Sequence, residues 1–89
     1  MGWRIELSSG AGKALDKLDG QASRRILRYL HERVAVADDP RQLGKPLKGS
    51  TLGNFWRYRV GDHRVVADIQ DEVLTVLVVR IGHRRDIYR

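Results

Sequence analysis

Hydrophobic and polar residues alternate strictly from Phe55 to Val60, with Trp56, Tyr58 and Val60 on one side and Arg57 and Arg59 on the other. Period-two alternation predicts a half-buried β-strand. Gly61-Asp62 follows as a two-residue hairpin loop, with glycine at the first central position as a type II′ turn prefers. That loop sets Val60 opposite His63, Arg59 opposite Arg64 and Tyr58 opposite Val65. Like charges directly across an antiparallel pair repel, and a purely structural strand avoids them. With Arg57 two residues back on the same face, three guanidinium groups crowd one open surface. Such a surface suits a polyanion.

The same reading places the other elements. Trp3–Leu7 alternates and predicts a strand, and Ser8-Ser9 can cap a helix start. A first helix is expected over about 10–18, with Ala11, Ala14, Leu15 and Leu18 on one face. After Asp19-Gly20 a second is expected over about 21–36, carrying Ala22, Ile26, Leu27, Leu30 and Val34. Residues 41–54 read as loop, punctuated by Gly44, Pro46, Gly49 and Gly53. Strands are then expected over 55–60, 63–70 and 73–81. The last is nearly all apolar from Val73 to Val79, as in a central strand covered on both faces. The tail, Gly82 to Arg89, should fold back over the end of the sheet. The expected architecture is one α+β domain over residues 1–89, order β-α-α-β-β-β. Its small antiparallel sheet carries the N-terminal strand and an αα-hairpin packed on one face.

Composition narrows the chemistry. A chain of 89 residues supports one small core. No apolar run is long enough for a bilayer, and the N-terminus shows no signal-peptide core, so a cytoplasmic protein with no membrane partner is expected. The absence of cysteine excludes disulfides and thiol nucleophiles. The formal charge of +6 is concentrated: Arg41, Lys45, Lys48, Arg57, Arg59 and Arg64 are offset within their window only by Asp62. Nucleic acid is the natural partner of such a stretch. Arg24, Arg25, Arg28 and Arg33 on the second helix read as a solvated polar face or as a non-specific nucleic-acid contact.

If that face binds RNA, the candidate reactions are few. His31, His63 and His83 are scattered and no carboxylates cluster, so neither a metal nor another cofactor is expected. The open route is attack by the RNA's own 2′-hydroxyl on the adjacent phosphorus. It needs a base, cations for the crowded negative charge and an acid for the 5′-oxygen. Arginine matches phosphate oxygens with its planar fork but is a poor proton acceptor. Histidine has the right range. His63 falls on the core side of its strand, and His83 lies past the expected strand end, where it is freer to meet a substrate. Lys45 and Lys48 are candidate RNA contacts, although Gly44-Lys45-Pro46 lacks the hydroxyl residue and upstream glycine of a phosphate loop. Tyr88 can pack the tail, stack on a base or orient a hydroxyl.

Leu47-Lys48-Gly49, Trp56 to Arg64 and Ile81 to Arg89 together resemble the RelE branch of the RelE/ParE toxin superfamily of type II toxin–antitoxin systems. The resemblance extends over essentially the whole chain. It implies a RelE-like fold and a toxin that acts as a ribosome-dependent endoribonuclease, an mRNA interferase that inhibits translation. The partners it implies are mRNA, the ribosome and a cognate RelB-like antitoxin, with operator DNA met only through the antitoxin complex. The family's strand pair falls at Arg57 and Arg59, its post-turn arginine at Arg64, its arginine after the glycine at Arg84 and its terminal tyrosine at Tyr88. Arg85 joins Lys45 and Lys48 as an expected RNA contact. The chain departs from the pattern where arginine replaces the strand lysines, which turns attention to His83 for proton transfer. Two rival expectations are a ParE-like gyrase inhibitor and a non-catalytic RNA- or ribosome-binding module.

Overall fold

The computed structural model describes residues 2–47 and 55–83. Its elements are β1 (Arg4–Leu7), α1 (Ser9–Lys17), α2 (Gly20–Tyr29), β2 (Lys45–Pro46), β3 (Phe55–Val60), β4 (His63–Gln70) and β5 (Thr75–His83). The five strands form one sheet in the order β1-β5-β4-β3-β2. All neighbours are antiparallel except β1 and β5, which run parallel, so the sheet is mixed. The helices return the chain to the far edge of the sheet and lie on one of its faces.

Both helix starts are capped by residues the sequence singles out. The Ser8 hydroxyl accepts from the Ala11 amide at 3.1 Å, and the Asp19 carboxylate accepts from the Ala22 amide at 2.8 Å. Each satisfies a first-turn donor that has no partner within its helix. Ser23 then donates to the Leu15 carbonyl at 2.7 Å and locks the two helices together. The apolar stripe Ala11, Leu15, Ile26, Leu30 and Val34 buries against Tyr58, Val60, Val65, Ala67, Val76, Val78 and Ile81 of the sheet. Beyond Tyr29 the second helix widens into a π turn, Leu30–Val34, and the Ala35 amide donates to Leu30 at 2.8 Å.

The β3–β4 register is the one the two-residue loop dictates, with Val60 opposite His63, Arg59 opposite Arg64 and Tyr58 opposite Val65. Gly61 has φ 61° and Asp62 does not share the positive sign, which fits a type II′ turn and excludes type I′.

Three expectations need correction. The stretch read as loop contains a 3₁₀ turn, Pro40–Leu43, and the short strand β2, whose Lys45 pairs with Arg57. Two residues are too few to show a period, so pattern reading passes over them. The last strand starts at Thr75, because Asp71–Val73 forms a 3₁₀ turn and Leu74 takes a left-handed conformation at φ 46°. That strand also runs on to His83, so His83 is inside it and not past its end.

A β-bulge interrupts β5. Val66 pairs with Arg80 but the next residue, Ala67, pairs with Val78, which leaves Val79 as the extra residue. The Ser8 amide donates to the Val78 carbonyl at 2.8 Å, and its hydroxyl donates to Val79 at 3.3 Å. One serine thus caps a helix and satisfies the carbonyl the bulge exposes. The bulge reverses the alternation. Without it Arg80 would share the core face with Val76 and Val78; with it Ile81 turns into the core and Arg80 faces outward, exposed.

Candidate nucleic-acid interface

The sheet face away from the helices carries the basic residues. Rows of cross-strand partners read Lys45, Arg57, Val66, Arg80 and then Arg59, Arg64, Gly82. Five cations therefore share one surface. Lys45, Arg57, Arg59 and Arg64 line a cleft of about 350 Å³ whose other walls are Gln42, Leu43 and Gly44. Arg80 was not anticipated. The signal was there, because uninterrupted alternation would have driven an arginine into the core, and a bulge at Val79 relieves that conflict.

The three arginines differ in setting. Arg59 is exposed and Arg57 half-buried, whereas Arg64 is only 7% exposed and forms the floor. Its Nη1 donates to the carbonyls of His63 at 3.1 Å and Gly61 at 3.3 Å. These carbonyls belong to the hairpin itself, so the turn that sets the register also orients the guanidinium.

The opposite wall is held from below. The Tyr58 side chain is fully buried on the helix side of β3, and its hydroxyl donates to the Pro40 carbonyl at 2.8 Å. Burial pushes its ionisation well above the ordinary tyrosine range, so it stays a donor. Arg41 reaches Asp39 at 3.2 Å and Asp71 at 3.1 Å, and its guanidinium lies 6.0 Å from the Trp56 ring centroid. The hydrogen bond from Arg41 holds the Asp71 carboxyl below its usual range. Gly44 permits the close approach: a Cβ there would lie 2.8 Å from the Arg57 carbonyl oxygen and 3.1 Å from the Tyr58 ring.

The histidines stand elsewhere. His63 and His83 are direct cross-strand partners, with ring centroids 6.0 Å apart at 78°, on the side of the sheet that the helices cover. His83 is thus neither at a free strand end nor in the arginine cleft. His31 is exposed on the helical segment. Lys48, Arg84, Arg85 and Tyr88 lie outside the described residues, as does residue 84 onward of the tail expected to cover the sheet, whereas Gly82 and His83, read as the start of that tail, belong to β5. Among the described residues no group of three or more His, Cys, Asp or Glu is placed to hold a metal ion. Among the same residues no helix is long and apolar enough to cross a membrane.

A family model described as the ParE toxin of the type II toxin-antitoxin system parDE matches residues 5–88. The chain belongs to the RelE/ParE superfamily of type II toxins. Within that superfamily it is 30% identical over 89 residues to toxin RelG of Mycobacterium tuberculosis, covering 100% of this chain and 99% of that protein. Its fold matches the toxin of the RelBE2 toxin–antitoxin complex from Mycobacterium tuberculosis with a TM-score of 0.83 at 25% identity, over 94% of this chain and 93% of that one. The archaeal RelE–RelB complex from Pyrococcus horikoshii gives a TM-score of 0.75 at 23% identity, over 94% and 97% of the two chains, a likeness of fold alone. The RelE-like toxin fold read from the sequence is the fold observed, and toxins of this fold are found bound to RelB antitoxins.

Proposed function

We propose that this toxin is a ribosome-dependent endoribonuclease that cuts mRNA by attack of a 2′-hydroxyl on the adjacent phosphate, and that a RelB-like antitoxin restrains it. The observation that carries this reading is the convergence of Arg57, Arg59 and Arg64 with Lys45 in one cleft on the sheet face away from the helices. As attack proceeds, negative charge builds on the phosphoryl oxygens, and fixed guanidinium groups stabilise that charge without reorganising. A gyrase inhibitor, which the ParE family name also suggests, has no need of a cleft built around a buried arginine.

Arg64 binds a phosphoryl oxygen from the floor, while Arg57 and Arg59 hold the strand from the rim. Arg80 continues the basic surface along β5 for RNA leaving the cleft. Arg84 and Tyr88 act as the family resemblance assigns them, one on the phosphate and one against the target nucleotide, with Lys48 and Arg85 as further backbone contacts. Proton transfer falls to Lys45 and not to His83. Lys45 lines the cleft with a proton donor while His83 packs behind the sheet, so Lys45 is the group placed to hand a proton to the leaving 5′-oxygen.

Primer extension on mRNA in a translating extract, run beside a gyrase supercoiling assay, tests this. The wild type should cut within codons and leave supercoiling intact. Lys45→Met should slow cutting by about 10²-fold or more, within the usual range for loss of an acid or base, and His83→Gln should stay within a few-fold of wild type. Intact mRNA with gyrase inhibited would end the proposal, and the reverse order of the two variants would move the proton to His83.

A further inference from the structure

The sheet-face cleft leaves one set of arginines unexplained. Arg25, Arg28 and Arg33 line a second groove, of about 470 Å³, between α2 with its π turn and the β3–β4 hairpin. Arg59 borders both this groove and the sheet-face cleft. β2 pairs only with Trp56 and Arg57, so among the described residues the outer edge of β3, the side away from β4, has no strand partner at Arg59, and the two grooves meet over that edge. The second is defined by packing as well as by charge: the Arg25 guanidinium sits on the hairpin turn, where a Cβ on Gly61 would lie 2.9 Å from its Nη1.

Charge in the groove is one-sided. Among the described residues of its lining four arginines face Glu32 as the single acid, and Glu32 is paired with Arg28 at 3.8 Å. That pair is largely exposed, so an incoming phosphate exchanges with it at little cost. From Arg25 to Arg33 the helical segment advances about 12 Å. A row of backbone phosphates spans that distance; a single small anion does not. Arginine forks suit phosphate oxygens, and continuity through Arg59 lets one strand occupy both grooves.

We propose that the groove between α2 and the hairpin is a second RNA-backbone site, which holds a phosphodiester strand while the sheet-face cleft holds the reacting phosphate. The inference rests on the RNA reading of that cleft. Two sources share the chemistry: the flank of the substrate strand and the ribosome's own RNA.

The test compares Arg25→Gln/Arg28→Gln/Arg33→Gln with a charge-matched control, Arg4→Gln/Lys13→Gln/Lys17→Gln, altered on β1 and α1. Binding is measured to a 30-nucleotide single-stranded RNA, a 6-nucleotide RNA, ribosomes without mRNA and poly-glutamate. The groove variant should bind the 30-mer or the empty ribosome at least tenfold more weakly than the control. The slope of log affinity against log salt should fall by about 2, at roughly 0.7 per lost phosphate contact. Hexamer binding and the cutting rate at saturating programmed ribosomes should not change. A loss seen with the 30-mer assigns the substrate flank, and one seen with empty ribosomes assigns ribosomal RNA. Equal losses in the control, or a loss confined to poly-glutamate, would overturn the site and point to an acidic protein partner. If the wild type cuts no mRNA but the 30-mer contrast persists, the cleavage reading fails and the groove stands.

Discussion

Arg64→Lys is expected to slow mRNA cutting on programmed ribosomes by about 10²-fold, and Arg64→Ala by about 10³-fold, in the range found when one preorganised donor to a developing oxyanion is removed. The argument is geometric. Arg64 is 7% exposed, faces the cleft from directly opposite Arg59, and is oriented by the carbonyls of Gly61 and His63. Lysine keeps the charge but has neither the planar fork nor the reach to hold both carbonyls and a phosphate. Single-turnover rates at saturating ribosomes check this, with a thermal melt of each variant to show that the hairpin persists. If Arg64→Lys cuts at the wild-type rate, charge alone is sufficient and the fork has no role.

The largest stability effect belongs to Tyr58. It is fully buried among core residues, and its ring meets Tyr29 edge-on with centroids 6.3 Å apart. Tyr58→Ala removes an aromatic side chain from a packed core and should cost about 3–5 kcal/mol, enough to unfold much of so small a domain. Tyr58→Phe keeps the ring and removes only the donor to Pro40, leaving a buried carbonyl without its partner at a cost of about 1–3 kcal/mol. Because that bond pins the Pro40–Leu43 turn, Tyr58→Phe should also loosen the cleft wall at Gly44 and raise KM before it lowers kcat. Alkali supplies an independent check. Burial raises the Tyr58 ionisation, so the unfolded chain releases its proton first, near the ordinary value of 10. The stabilisation is complete below pH 10 and is lost as pH rises toward the higher folded value. The raised value of Tyr29 adds a loss of the same sign. Urea midpoints at pH 7 and pH 11 should therefore diverge in the wild type and diverge less in Tyr58→Phe.

Much of this was legible in the residues because the local rules agreed with one another. The six-residue alternation, the glycine at the turn and the capping residues Ser8 and Asp19 each act over a few positions, and together they determine the hairpin register and the helix faces. The grouping of Arg57, Arg59 and Arg64 followed directly. What escaped were features with no local period. Strand β2 is two residues long, and the parallel partnership of β1 with β5 joins the ends of the chain. The bulge at Val79 inverts the faces of β5 beyond it, which brings Arg80, for which there was no expectation, round to the basic face and sets His83, expected past the strand end, behind it. A charged residue in the core phase of an apolar strand was the available warning. The arginines of α2 were visible as a polar face, but only the packing of Arg25 on Gly61 shows that they wall a groove.

The most direct test of the central claim is the chemistry of the cut ends. Wild-type toxin on mRNA-programmed ribosomes should leave upstream fragments ending in a 2′,3′-cyclic phosphate and downstream fragments starting with a 5′-hydroxyl, and Arg57→Ala/Arg59→Ala should leave almost none. Fragments with 3′-hydroxyl and 5′-phosphate ends, or undiminished cutting by the double variant, would contradict it.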